Sequence, residues 1–480
     1  EVRGQYNYHF RTEVGRIPLN QTFSVSAGHQ VTKLGTRQHQ AGVFSTPGTW
    51  RANWTENMLW GRVYWDNPRA ALNVPDSYNG TEIDYIGLPF NWFDWDSEQE
   101  INFVGAFSQT RLWDDRVNIS LGVRNDSYDN TKLDARGTNN TASSDSGTTY
   151  SAGVVGYVTP WLGLVGNLSE NFQPAAGGLA PSLYGETFGP SFGEGKSVGV
   201  RVSTLDHKYW VSLNYYDDEA KDVIGGDKPD FQGIWNQYFD AGGTNTDMGP
   251  AGNVTGEPGN YNANMQYEDT YEAKYTGWEF EMTLNPTKNI RIQAHYAKPE
   301  GVRTNNSPRS ARYFAEKLPI WQQAAGGSTP ESATLATSLA NAQSLIDAVS
   351  VESITSNLAK SHYNVFAAYT FLDGALQGFE AGGGIAGLGE QYRGPNDKIN
   401  GERILSPSYN TWTLFLGYST EFDAMNREVQ AKFQLNVDNL FNEDRLIFLG
   451  YQSYGDGQAA PIDYRYLNPR EVTFTASFSF

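Results

Sequence analysis

The side chains best suited to holding a small molecule are aromatic, and they crowd into one stretch. Trp50, Trp54, Trp60, Trp65, Trp92 and Trp95, with Tyr64, Tyr78, Tyr85, Phe90 and Phe93, all fall between residues 35 and 97. Aromatic faces stack on sugar rings, catecholates and other planar ligands, while the polar edges of Trp and Tyr hydrogen-bond at a wet boundary. Trp60, Tyr64, Trp65, Trp92 and Trp95 are therefore the candidate ligand contacts. The alternative for the same residues is a girdle of Trp and Tyr at a membrane–water interface. Other chemistry is sparsely supplied. His9, His29, His39, His207, His295 and His362 are scattered, and no pair has the sequence spacing of metal ligands. Ser, His and Asp occur without a nucleophile motif around them, so no catalytic residue, cofactor or enzyme activity is expected. Asp129 and Asp134 lack the Asp/Asn/Gly spacing of a calcium loop. Asp217, Asp218, Glu219 and Asp222 form an acidic cluster that reads as a solvated rim, open to cations that bridge lipopolysaccharide.

Those residues need a scaffold, and the last ten positions show its kind. In Glu471 to Phe480, Val472, Phe474, Ala476, Phe478 and Phe480 alternate with Thr473, Thr475, Ser477 and Ser479. A strand points successive side chains to opposite faces, so one face is apolar and the other carries small hydroxyls. The same period recurs along the chain. Val117, Ile119, Leu121 and Val123 alternate with Asn118, Ser120, Gly122 and Arg124; Trp278, Phe280, Met282 and Leu284 alternate with Glu279, Glu281 and Thr283. Further hairpins are expected near 148–172, 194–217, 273–298, 361–392 and 409–438, each turning on Asp, Asn, Gly or Pro. Tight turns alternate with long excursions near 35–97, 129–147, 173–193, 218–272, 299–360, 393–408 and 439–470. Short turns on one rim and long loops on the other are the signature of a large transmembrane β-barrel. In the 299–360 excursion, Thr329-Pro330-Glu331 followed by Leu335, Leu339, Ala342, Ile346 and Val349 predicts an N-capped helix on the surface.

Composition agrees and excludes other classes. Among 480 residues, Gly is 50 and aromatics reach 14%, which suits many short strands with tight turns. Mean hydropathy is −0.53, and no run of apolar residues is long enough for a transmembrane helix. The net charge of −19, without clustered Lys and Arg, argues against a nucleic-acid partner. With no cysteine, disulfides and thiolate metal sites are excluded.

The ending carries a family resemblance. Asn436-Val437-Asp438-Asn439-Leu440-Phe441-Asn442, a loop rich in Tyr and Gly, Asn468-Pro469-Arg470 and a Phe-terminated strand resemble the C-terminal signature of TonB-dependent outer-membrane receptors. Leu121-Gly122-Val123-Arg124-Asn125-Asp126, Thr276-Gly277-Trp278-Glu279-Phe280-Glu281 and Glu170-Asn171-Phe172-Gln173-Pro174 resemble internal segments of the same family. The resemblance implies a 22-stranded barrel in the outer membrane of a Gram-negative bacterium, with long loops outside the cell. It also implies a plug in the lumen, a periplasmic segment that contacts TonB, and energised import of a scarce nutrient of the ferric siderophore, cobalamin or glycan class. A passive porin and a surface barrel with an assembly role are the alternatives. About fifteen strands are readable here, so residues 1–480 are expected to be one domain, the C-terminal part of such a barrel. Seven strands and the plug are then expected ahead of Glu1, and the first and last strands are not expected to pair. Phe23, Val117, Leu121, Phe280, Ile292, Phe433, Phe474 and Phe478 should face lipid; Arg124, Glu279, Glu281, Arg291 and Lys432 should face the lumen.

Overall fold

The computed structural model describes the chain apart from residues 37–38, 44–76, 79–80, 88–94, 135–140, 176–179, 205, 207, 351, 356–357, 394–397, 400–401, 404, 425–426, 455–457 and 480. Fifteen strands follow one another in a single antiparallel sheet, each bonded to its neighbour in sequence order. They are β1 (Val2–Val14), β2 (Ile17–Thr36), β3 (Trp95–Leu112), β4 (Val117–Asp134), β5 (Thr141–Thr159), β6 (Leu162–Gln173), β7 (Ser191–Ser203) and β8 (Tyr209–Ile224). The order continues through β9 (Thr270–Thr287), β10 (Ile290–Thr304), β11 (His362–Thr370), β12 (Phe379–Leu388), β13 (Tyr409–Ala424), β14 (Arg427–Asp438) and β15 (Glu471–Ser479). Among the described residues β1 and β15 stand at the two ends of this order, each paired on one side. The expected all-β antiparallel wall of about fifteen strands is thus what forms.

Register shows which side chains share a face, because directly opposed residues in an antiparallel pair point the same way. One row runs Leu164–Val200–Leu213–Phe280–Tyr296–Tyr363; the row beside it runs Gly163–Arg201–Ser212–Glu281–His295–Asn364. Followed across the sheet, the eight residues expected to face lipid share one face, and the five expected in the lumen share the other. Val198 and Phe474 on the apolar face are 63% and 66% exposed, so none of the described residues covers them. Lipid does so in a barrel of this kind. The polar face lines the hollows on the opposite side.

The tight turns gather on one rim. Gly15, at φ +68, closes the two-residue link between Val14 and Ile17. Trp113, Asp114 and Asp115 take φ of 54, 53 and 67, and the Arg116 amide donates to the Trp113 carbonyl at 3.2 Å. The opposite rim departs from the expected loop lengths in one place. Residues 129–147 do not form a long excursion: β4 continues to Asp134 and β5 begins at Thr141. Strands that run past the bilayer have water on both faces, so the consecutive polar residues Ser143, Ser144, Asp145 and Ser146 leave no periodic signal.

The three excursions after β6, β8 and β10 fold together into a cap. Its helices are α1 (Phe231–Asp240), α2 (Pro308–Ala325) and α3 (Pro330–Ser350). The expected helix is α3, and Leu335, Leu339, Ala342, Ile346 and Val349 are all buried. It is not an isolated surface helix, because it packs on α1 and α2. Among the described residues the largest fully buried side chains, Trp235, Trp321, Tyr313, Phe231 and Phe314, lie in this cap, and Leu183 from the excursion after β6 joins them. The hydrophobic core therefore sits outside the sheet, where water would otherwise reach those rings.

Candidate functional site

Two regions of the inner face gather side chains able to meet a ligand. On β4, Arg124 is held by Asp126: Nε donates to both carboxylate oxygens at 3.0 and 2.8 Å, and Nη2 donates to Oδ1 at 2.6 Å. Asp126 is buried, and the guanidinium carbon lies 4.2 Å from the centre of the Phe103 ring. A clamp of this kind fixes the guanidinium plane, which a lysine could not reproduce. It opens on a hollow of about 410 Å³ lined by Arg3, Gln5, Ser24, Ser26, Thr149 and Ser151, among others. The second region spans β9, β10 and β11. There Glu281 opposes His295, which opposes Asn364, and Glu279 opposes Ala297, which opposes His362. The His295 and His362 rings lie 5.3 Å apart, centroid to centroid. Sequence spacing hid this pair, since 67 positions separate residues that lie on neighbouring strands.

The acidic cluster at the base of the excursion after β8 is divided by strand parity. Asp217 and Glu219 point outward, where Lys274 bridges them at 3.1 and 3.2 Å, while Asp218 falls on the inner face. It is therefore not one rim of convergent carboxylates. Among the described residues no group of three His, Asp or Glu side chains is arranged to hold a metal ion. Of the expected aromatic contacts, Trp60, Tyr64, Trp65 and Trp92 lie outside the described residues. Trp95 opens β3, its backbone set between Thr36 and Asp134 on the rim of long loops.

Above that rim the cap is pinned at a few polar points. Asp269, fully buried, accepts from the Ser310 amide and hydroxyl, both at 2.7 Å. It thereby caps the start of α2, because Ser307 at the cap position is left-handed (φ 55) and makes no side-chain cap bond. Arg309 Nε donates to Glu186 at 2.8 Å, tying the excursion after β6 to the one after β10. That bond holds the Glu186 carboxyl below its ordinary range, and Lys317 does the same for Asp247. Burial pushes the Tyr267 and Tyr313 phenols up, so both remain donors; Tyr313 donates to the Met248 carbonyl at 2.8 Å.

A barrel wall with charged residues inward, tight turns on one rim and a folded cap on the other matches a known family along most of its length. The model of the TonB dependent receptor-like β-barrel matches residues 1–440. The chain belongs to this family. It is an outer-membrane protein of a Gram-negative bacterium, in a family of receptors rather than enzymes. A metal-pseudopaline receptor, CntO of Pseudomonas aeruginosa strain UCBPP-PA14, is 23% identical over 369 residues, 75% of this chain and 38% of that protein. Among solved structures, BauA, the ferric preacinetobactin receptor of Acinetobacter baumannii, aligns over 100% of this chain and 54% of its own, with 13% identity and a TM-score of 0.57. The P. aeruginosa FpvA receptor bound to heterologous pyoverdines aligns over 98% and 47%, with 16% identity and a TM-score of 0.53. This chain thus spans about half of these structures and 38% of the CntO receptor.

Proposed function

We propose that residues 1–480 form the wall and extracellular cap of a receptor that imports a metal chelate of the siderophore class across the outer membrane. The observation that carries this is the cap: three excursions of a receptor-family barrel share one buried core. A mouth of fixed shape suits recognition of one ligand, since ordering is complete before the ligand arrives. Passive diffusion needs no such core. The three relatives named above are receptors for metal chelates by their names, which supports this class over cobalamin or glycans. In this function Trp60, Tyr64, Trp65, Trp92 and Trp95 supply stacking faces for the chelate, and lipopolysaccharide surrounds the outward charges beside the cap. Import draws energy through TonB. The test is uptake of radiolabelled metal chelates by metal-starved cells producing the complete gene product. Uptake that a protonophore abolishes is the expected result; uptake indifferent to the proton gradient would make the barrel a passive channel.

A further inference from the structure

Two of the six histidines meet on the inner face at diagonal register positions. His295 opposes Asn364 and His362 opposes Ala297, and the rings lie 5.3 Å apart with planes 29° from parallel. Neither ring makes a hydrogen bond among the described residues. The next strand contributes Glu281, opposite His295, and Glu279, opposite Ala297; neither carboxylate forms an ion pair or hydrogen bond among the described residues. His295 is half-buried, while His362, Glu281 and Asn364 are exposed to the lumen. His362 is the first residue of β11, so the pair sits at the capped end of the wall.

Imidazole nitrogens suit borderline divalent ions such as nickel, zinc and copper, whereas hard ions favour oxygen donors. Among the described residues no three His, Asp or Glu side chains converge on one centre, so the pair offers two nitrogen ligands and not a complete shell. That is the number useful to a metal whose remaining positions are already filled. We propose that His295 and His362 form a two-imidazole docking point for a divalent transition metal still held by its chelator. This rests on the metal-chelate function proposed above and narrows the metal. The step is ligand exchange: two neutral imidazoles bind through nitrogen lone pairs and two metal-bound waters leave, with no change in oxidation state.

The probe is nickel nitrilotriacetate, which leaves two coordination positions open, against nickel EDTA, which leaves none. Untagged, detergent-purified complete receptor should bind the first and not the second by calorimetry. His295→Ala and His362→Ala should each weaken binding at least roughly tenfold. Copper(II) alone, followed by electron paramagnetic resonance, should show coupling to two nitrogens in the parent protein and to one in either variant. This second readout is taken on variants that keep the resistance to denaturation of the folded barrel. Nickel nitrilotriacetate binding unchanged in the double variant, or equal binding of both complexes, would overturn the docking point. Loss of gradient-driven chelate uptake in the unsubstituted receptor would instead overturn the proposed function, and the binding data would stand apart from it.

Discussion

At the scale of single residues, the cap depends on charges placed where water cannot replace them. Asp269 accepts two hydrogen bonds from Ser310 and lies 3.7 Å from Arg309 Nη1. Asp269→Ala would leave a buried amide and hydroxyl unpaired at the start of α2, at a cost of about 2–4 kcal/mol. Hydrogen exchange of α2 amides should then accelerate, while the sheet keeps its protection; equal protection in both proteins would refute the assignment. The pH dependence has a definite sign. Glu186 titrates below its ordinary value because Arg309 binds the ionised form, and Asp247 does so because of Lys317. Their contributions are present above the ordinary values, 4.5 for Glu186 and 3.8 for Asp247, and are lost as pH falls through the lower folded values. Both pairs are solvent-exposed on at least one side, so salt should weaken the effect. Limited proteolysis should cut the cap sooner at acidic pH than at neutral pH. None of this was legible in the sequence, where Asp269 and Glu186 look like any loop acids and their partners lie 41 and 123 positions away.

Elements differ in how plainly the chain announces them. α3 was readable because Leu335, Leu339, Ala342, Ile346 and Val349 keep a four-three spacing that only a helix brings to one side. α1 carries equally regular burial at Phe231, Ile234, Trp235, Tyr238 and Phe239, but it is only 10 residues long and sits among Gly, Asn and Asp. α2 holds Pro319 inside it, which reads as a breaker in sequence. Tertiary packing decides both. Trp235 donates from Nε1 to the Tyr313 hydroxyl at 2.9 Å, and its ring meets Trp321 edge-on. Trp235→Ala should cost the cap about 3–5 kcal/mol and leave the wall intact. The expected outcome is early proteolysis within 225–360 with no change in the wall's resistance to denaturation; uniform loss across the molecule would show that cap and wall fold as one unit. An epitope inserted between Gly326 and Gly327, in the link from α2 to α3, should bind antibody on intact cells. Binding only after permeabilisation would reverse the orientation of the barrel.

Across the whole molecule, the sequence was most legible where the environment differs most between faces. Lipid against one side and water against the other enforce period two, and thirteen side chains assigned by parity alone fall on the faces expected. Where both sides are wet, as in residues 141–149, the strand persists but its signal does not. The proposed ligand contacts rest on residue type alone: Trp60, Tyr64, Trp65 and Trp92 occur in a stretch of sequence whose aromatics suit a girdle and a binding mouth equally well. The wall therefore invites a test that ignores the loops. The chain has no cysteine, so a single one introduced at any position reports without background. Glu281→Cys, Lys432→Cys and Ser477→Cys place thiols on the inner face, whereas Leu213→Cys, Val198→Cys and Phe474→Cys place them outward within the apolar band. In outer-membrane vesicles a charged, membrane-impermeant thiol reagent should modify the first set and spare the second, because a charged reagent is costly to bring into hydrocarbon. A lipid-soluble maleimide should show the reverse preference. Labelling that follows depth along the strands instead of parity would mean that the polar face does not enclose a wet lumen, and both the import route and the histidine docking point would lose their setting.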